Sequence, residues 1–261
     1  FKGDGQYLTF PQDSGITVEA MEKYYDAMNY KDYTHALSRA PILKAQHPGY
    51  EVHQMGIHGQ RGVSCADCHM PYMSKGGVKY TDHHIMSPLA NIERTCQTCH
   101  RQSAETLRQN VYERQRKCNE IRNRVENELA TAHIEAKFAW DKGATEAEMK
   151  PVLDLLRKSQ WRWDFAVASH GASFHAPQEI TRILSHSLDY ANQARLKVAK
   201  VLAVHGFTGD VPMPDISTKG KAQAYIGLDM KQKEGDKEKF LNTVVPEWIK
   251  KAKAAGRAID L

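Results

Sequence analysis

The sequence predicts a mainly α-helical protein in two stretches, with loops and short helices over residues 1–102 and long helices over residues 103–261, joined as one continuous unit. Three observations predict it. The first hundred residues are dense in Gly, Pro, His and Tyr and lack long periodic runs, the texture of a chain wrapped around something other than a protein core. From Ser103 onward, apolar residues recur at helical spacing over long runs. No repeated strand signal interrupts either half.

Within the first stretch, Val18 to Met28 is the one helical run, opened by a cap at Thr17. Leu107, Val111, Cys118, Ile121, Val125 and Leu129 then mark a helix running to about Asp141 and stopped by Gly143. At about 1.5 Å per residue this is a rod of roughly 60 Å. Thr145 and Glu148 form a capping box for a second helix, through Met149, Val152, Leu155, Leu156 and Trp163 to about Ala168. Pro177 suits the first turn of a third, which carries Ile180, Ile183, Leu184, Leu188, Ala191 and Leu202 and ends at Gly206. Phe207 to Ser217, with its prolines, reads as a loop, and Lys-rich helices are expected from Lys219 to about Met230 and from Asp236 to about Ala255.

Composition narrows the function classes. Hydrophobic residues make up 41% and charged residues 26% of 261 positions, and nothing approaches the roughly 18 consecutive apolar residues of a membrane span. The net charge of +5 is spread among interleaved acidic and basic residues, so no nucleic-acid footprint stands out. The chain opens on Phe-Lys-Gly-Asp, which suggests a processed or truncated start.

Four of the five cysteines fall in two pairs, Cys65-Ala-Asp-Cys68-His69 and Cys96-Gln-Thr-Cys99-His100. Each pair sets two thiols one helical turn apart, where they can add to the two vinyl groups of a haem with the following histidine beneath the iron. A zinc site of two Cys-x-x-Cys knuckles is the rival reading, but the 27 residues between the pairs exceed the usual zinc-ribbon gap. With histidine at 13 of 261 positions, a histidine after both pairs by chance has a probability of about one in four hundred. The reading is therefore haem c, two covalently attached in this chain. Cys118 stands alone on the apolar stripe of a long helix and reads as a buried small hydrophobe.

An electron-carrying haem iron needs a second axial ligand, and eleven histidines remain. His58 in Gly-Ile-His-Gly sits where glycines would let the backbone approach a flat cofactor; His83 and His84 lie between the two motifs; His170 and His175 lie at the break between the second and third long helices. Singly, each is more often a surface or hydrogen-bonded histidine, and it is their clustering that makes them ligand candidates. His35, His53, His133, His186 and His205 have no such context and read as solvated or structural; Trp161 and Trp163 read as core.

These residues resemble the pentahaem cytochrome c nitrite reductases, the ammonia-forming enzymes of the bacterial periplasm. The resemblance runs along essentially the whole chain. It is carried by Leu43-Lys44-Ala45-Gln46-His47-Pro48, Gly56-Ile57-His58-Gly59, Cys65 to Pro71, Tyr80-Thr81-Asp82-His83 and Thr95 to His100. Gly143 to Pro151, Gln160 to Asp164, Ser169-His170-Gly171, His175-Ala176-Pro177 and Pro214 to Lys219 add to it. It implies a multihaem cytochrome c fold, with haem-wrapping loops followed by long C-terminal helices. It also implies that His47 is the distal active-site histidine, bonding nitrite and donating protons. A calcium ion would be held by the Lys44 carbonyl and the Gln46 side chain, oxygen ligands suited to a hard cation. His69 and His175 would ligate the haem on Cys65 and Cys68, His100 and His58 the haem on Cys96 and Cys99. His83 would serve a haem attached further upstream, with His84 the lesser choice.

One departure is large. The family carries its catalytic haem on a Cys-x-x-Cys-Lys motif, and none exists between Phe1 and Leu261. The chain looks like the C-terminal part of such an enzyme; the family's active-site arginine and tyrosine and its calcium-binding glutamate would precede Phe1, and the isolated chain is not expected to reduce nitrite. Nitrite to ammonia takes six electrons, which gives several haems a purpose as a reservoir beside one reactive iron. The resemblance further implies five haems in the whole enzyme, a periplasmic location, a quinol-oxidising or soluble multihaem cytochrome as electron donor, and a homodimer formed through the long helices. A non-catalytic multihaem electron carrier is the main rival, which does not account for Lys44 to Pro48; a hydroxylamine-oxidising multihaem enzyme is the second, for which a tyrosine crosslink or more haem motifs upstream would be the sign.

Overall fold

A computed structural model describes residues 10–257. The opening residues, where the sequence suggests a processed start, lie outside them. The chain divides into two compact units, residues 1–211 and 212–261.

The first unit begins with α1 (Val18–Ala27), which starts where Thr17 Oγ1 accepts the Ala20 N–H at 3.2 Å. Two-residue strands β1 (Tyr33–Thr34) and β2 (Pro41–Ile42) pair antiparallel and lead to the short helices α2 (Gly49–Met55), α3 (Ile57–Gln60) and α4 (Cys65–His69). A hairpin follows, β3 (Tyr72–Lys75) and β4 (Val78–Thr81), in the register Tyr72↔Thr81 to Lys75↔Val78. The sequence reading missed it. Its signal was Gly76-Gly77, both at positive φ (59° and 79°), the two-residue turn whose twist matches a hairpin.

Three long helices complete this unit: α5 (Ala104–Asp141), α6 (Glu146–Ala168) and α8 (Pro177–Val204), with the single turn α7 (Ala172–His175) before the last. Their ends fall where the sequence placed them. The Thr145 N–H donates to Glu148 Oε2 at 2.7 Å in the capping box of α6, and Gly143 and Gly206 take positive φ just past α5 and α8. α8 packs against both α5 and α6. Buried Val125, Trp161, Phe165, Ile183 and Leu184 join Val18, Met21, Leu43 and Val52 in one cluster; Leu129, Met149, Val152, Leu156, Val198 and Leu202 join Ile42 in another. Trp161 and Cys118 are buried, as their positions on apolar faces predict.

In the second unit, α9 (Lys219–Tyr225) is shorter than expected and α10 (Met230–Ala254) starts earlier. Gly227, at φ 73°, ends the first, and Asp229 caps the second by accepting the Gln232 N–H at 3.0 Å. Among the described residues no helix is long and apolar enough to cross a membrane.

Candidate haem-ligating site

The first cysteine motif is itself a helical turn. Ser64 caps α4 and shares a capping box with Asp67, whose Oδ2 accepts the Ser64 N–H at 2.7 Å. The Asp67 carboxyl is held below its usual range by that hydrogen bond and by the Ser64 hydroxyl. Cys65 and Cys68 thus stand on one face of a turn. The second motif opens with the 3-10 turn Cys96–Thr98, braced by buried Thr95, which donates to the carbonyls of Pro88 (3.1 Å) and Asn91 (2.9 Å). None of the five cysteines is paired in a disulfide. The Cys68 thiol is pushed up by burial and, less, by Cys96.

The histidines of both motifs face distant histidines. His69 and His175 have ring centres 6.4 Å apart with planes at 79°; His58 and His100 are 6.1 Å apart at 85°. An imidazole nitrogen binds a first-row metal at about 2.0 Å and lies about 1.1 Å from its ring centre, so two rings on opposite sides of one iron would stand roughly 6.2 Å apart. Both pairs have the separation that an iron between them requires. Among the described residues no group of three or more His, Cys, Asp or Glu forms a metal site, so the four thiols do not gather as a zinc centre.

Local bonding readies the ligands. The Nδ1–H groups of His69 and His83 can donate to the carbonyls of Met86 (2.9 Å) and Thr81 (2.8 Å), which leaves each Nε2 lone pair for a metal. Burial lowers the proton affinity of His58 and His175, keeping them in the neutral form that ligates. His175 is set by Gly171, in the left-handed region at φ 78°, and Phe174 stacks on the His58 ring at 5.7 Å. The glycines beside His58 serve approach of chain to chain. A Cβ on Gly56 would lie 1.7 Å from the His175 carbonyl oxygen, and one on Gly59 would lie 2.3 Å from that of His53.

His83 and His84 are exposed, and His84 is tied to Asp82 Oδ1 at 2.8 Å. His53, which the sequence reading passed over as structural, is buried with its ring centre 5.7 Å from that of His175, nearer than two rings sharing an iron. His133 is buried and held by Ser38 (2.8 Å) and Gln160 (3.3 Å). His170 lies 5.8 Å from His47, ring centre to ring centre, and both are exposed.

The Lys44–Pro48 segment is pinned along its backbone. Asp32 Oδ2 accepts the Lys44 N–H at 2.7 Å, and Asp164 Oδ2 accepts the Ala45 N–H at 2.6 Å while its Oδ1 pairs with the Lys44 ammonium. His47 sits in the left-handed region at φ 50°, a strained position for a residue with a side chain. Gln46 is exposed beside it. The Lys44 carbonyl and the Gln46 amide are suitable oxygens for calcium, though they are two of the six to eight such an ion takes. Sequence reasoning missed Asp164, because a carboxylate on a helix face carries no local sign of a partner 120 residues away.

A family model for cytochrome c552 matches residues 1–256. Among curated relatives, cytochrome c-552 of Bacteroides thetaiotaomicron is 76% identical over 257 residues, 98% of this chain and 52% of its own length. Cytochrome c-552 of Porphyromonas gingivalis is 70% identical over 259 residues, 99% and 52% respectively. This chain therefore spans about half the length of the curated relatives it matches. Among solved structures, the cytochrome c nitrite reductase from Desulfovibrio desulfuricans, described for two calcium sites in its catalytic subunit, is similar over 79% of this chain and 48% of its own. The TM-score is 0.71 and the identity 31%.

Proposed function

The chain belongs to the cytochrome c552 family, and from that premise we propose that it is part of an ammonia-forming nitrite reductase to which it supplies two bis-histidine haem c sites, the distal histidine of the active site and part of a calcium site. The observation that carries the reading is the pair of histidine couples, His69 with His175 and His58 with His100, each spaced for one iron and each beginning at a Cys-x-x-Cys-His motif. Bound there, haem supplies reversible one-electron transfer.

Each residue then has a defined task. Cys65, Cys68, Cys96 and Cys99 anchor the macrocycles through thioether bonds, so the cofactors cannot dissociate. His69 with His175, and His58 with His100, would hold the two irons between them, leaving no position for nitrite there and giving these haems the role of electron relay. His47 offers an exposed imidazole that can hydrogen-bond the oxygens of nitrite and hold a proton for them. His83, its Nδ1 committed to Thr81, presents Nε2 to a haem attached elsewhere in the whole protein. Lys44 and Gln46 contribute oxygens to calcium. Exposed Leu196 and Val204 on α8 suit the helix-mediated homodimer that the sequence suggests, and a periplasmic location follows from c-type haem attachment.

The test uses the intact protein that contains this chain. Its mass and a pyridine haemochrome count are measured together with ammonia formed from nitrite under a reductant. Five c haems and stoichiometric ammonia support the reading; two haems and no ammonia would mean an electron relay and would remove the catalytic assignment of His47.

A further inference from the structure

Asp164 lies on the buried face of α6 and is 3% exposed. Each of its carboxylate oxygens faces a donor, Oδ2 the Ala45 N–H and Oδ1 the Lys44 ammonium. Asp32, from a separate part of the fold, holds the preceding N–H. Two successive backbone donors are thereby fixed by two carboxylates.

The consequence is stereochemical. A trans peptide is planar, and its carbonyl points opposite to its N–H. Holding the Ala45 N–H against α6 turns the Lys44 carbonyl away from α6. That carbonyl is the oxygen assigned to calcium above, and His47, with its left-handed backbone, follows two residues beyond Ala45. A side-chain-bearing residue stays in that region only where its surroundings over-determine it. We propose that Asp164 is the positioning residue of this segment: by holding the Ala45 N–H it aims the Lys44 carbonyl at the cation and sets the backbone from which His47 projects. The proposal rests on the calcium and nitrite reading of the same site.

The carboxylate is required for a stated reason. Asparagine has one acceptor and one donor end, and both positions here face donors, so Asp164→Asn must set its amide NH2 against either Ala45 or Lys44. Removing the ammonium by Lys44→Met resolves that conflict and lets the asparagine oxygen accept the Ala45 N–H.

The experiment compares wild type, D164N, D164N/K44M and the control D154N in the intact haem-loaded protein. Asp154 lies on the same helix but pairs with Lys150 at the surface. Calcium affinity is measured by equilibrium dialysis after stripping with a chelator, and kcat/KM for nitrite at low and at saturating calcium. D164N is expected to weaken calcium binding by about 10- to 100-fold and to lower kcat/KM at low calcium by a similar factor, with excess calcium restoring much of it. D154N should match wild type, and D164N/K44M should regain most of the lost affinity. If D164N does not fold with a full haem complement, the double variant, whose hydrogen bonds are matched, carries the test alone: wild-type-like affinity supports the proposal and a tenfold loss overturns it. Unchanged calcium affinity in D164N, or no recovery in the double variant, overturns the proposal while leaving the calcium reading standing. A wild-type protein that binds no calcium overturns both.

Discussion

On the proposed ligand assignment, replacing Gly56 by alanine should detach His175 from the iron it would share with His69. The added Cβ would lie 1.7 Å from the His175 carbonyl oxygen and 2.8 Å from its carbonyl carbon, whereas ordinary contact begins at 3.4 Å. Both neighbours are backbone, so no side chain can swing aside; the α2–α3 junction and the α7 turn must part by roughly 1.5 Å or more. The His69–His175 separation of 6.4 Å already matches the distance across one iron, and metal–ligand bonds tolerate only about 0.2 Å. A parting of this size therefore costs the iron one ligand while the thioethers keep the haem in place. Expected in the intact protein is one more five-coordinate ferric haem than in wild type, one more equivalent of carbon monoxide bound after reduction, and a loss of about 1–3 kcal/mol of stability from the overpacking. Gly49→Ala is the control, since a Cβ there meets nothing within 4 Å. A G56A protein with wild-type low-spin content and no carbon monoxide binding beyond that of wild type would refute the assignment of His175 as a ligand.

His58→Ala should produce the corresponding spectral change at the other haem alone, leaving the His69–His175 pair low-spin; electron paramagnetic resonance of the two variants side by side reads this. Arg162→Met should cost about 3–5 kcal/mol in urea unfolding, because it strands buried Glu22, which now receives two hydrogen bonds at 2.9 and 3.0 Å; E22M/R162M should regain most of that loss. Burial, with His35 stacked at 3.8 Å, lowers the pKa of His133 to about 3 from an ordinary 6.5, so the folded state holds it neutral while the unfolded chain protonates it. Its contribution is complete above about pH 6.5 and is lost as pH falls toward 3, at up to about 1.4 kcal/mol per pH unit, and H133Q should flatten the pH dependence of the urea midpoint by that amount over pH 6 to 4.5.

The long helices were legible because each carries its own punctuation. Thr145 with Glu148, Pro177, Gly143 and Gly206 mark ends chemically, and the apolar spacing between them identifies the buried face. The second unit was less legible, since Lys-rich segments show little apolar period, and the cap at Asp229 is one acidic residue among many. Both cysteine motifs are local and could be read directly. The faces opposite them were not: His100 and His58 stand 42 positions apart and His69 and His175 106, and no periodicity joins residues so distant. Those pairings were available only through likeness to a family, and the ring separations are the first physical measure of them in this chain.

The same helix explains why the two halves of the first unit depend on each other. Along one face of α6, Arg157 donates to Asp26 (3.0 Å) and to the carbonyls of Tyr30 (2.8 Å) and Pro41 (3.0 Å), Trp161 Nε1–H to the Val18 carbonyl (2.9 Å), and Arg162 to Glu22, while Asp164 takes the Ala45 N–H. These are side chains whose burial without partners would cost several kcal/mol each. Their partners lie between Val18 and Ala45, a stretch with one helix of ten residues and two strands of two. Such a segment cannot bury enough apolar surface to order itself. The helical half thus acts as a template that orders the segment bearing His47, and substitutions on the buried polar face of α6 should disturb that segment before they disturb the helix. Arg157→Met and Asp164→Asn should accordingly leave the α5–α6–α8 helices protected in amide hydrogen exchange and raise exchange at Lys44 and Ala45. Uniform loss of protection across both regions would mean that the segment and the helices fold as one indivisible unit, and the template argument would fail.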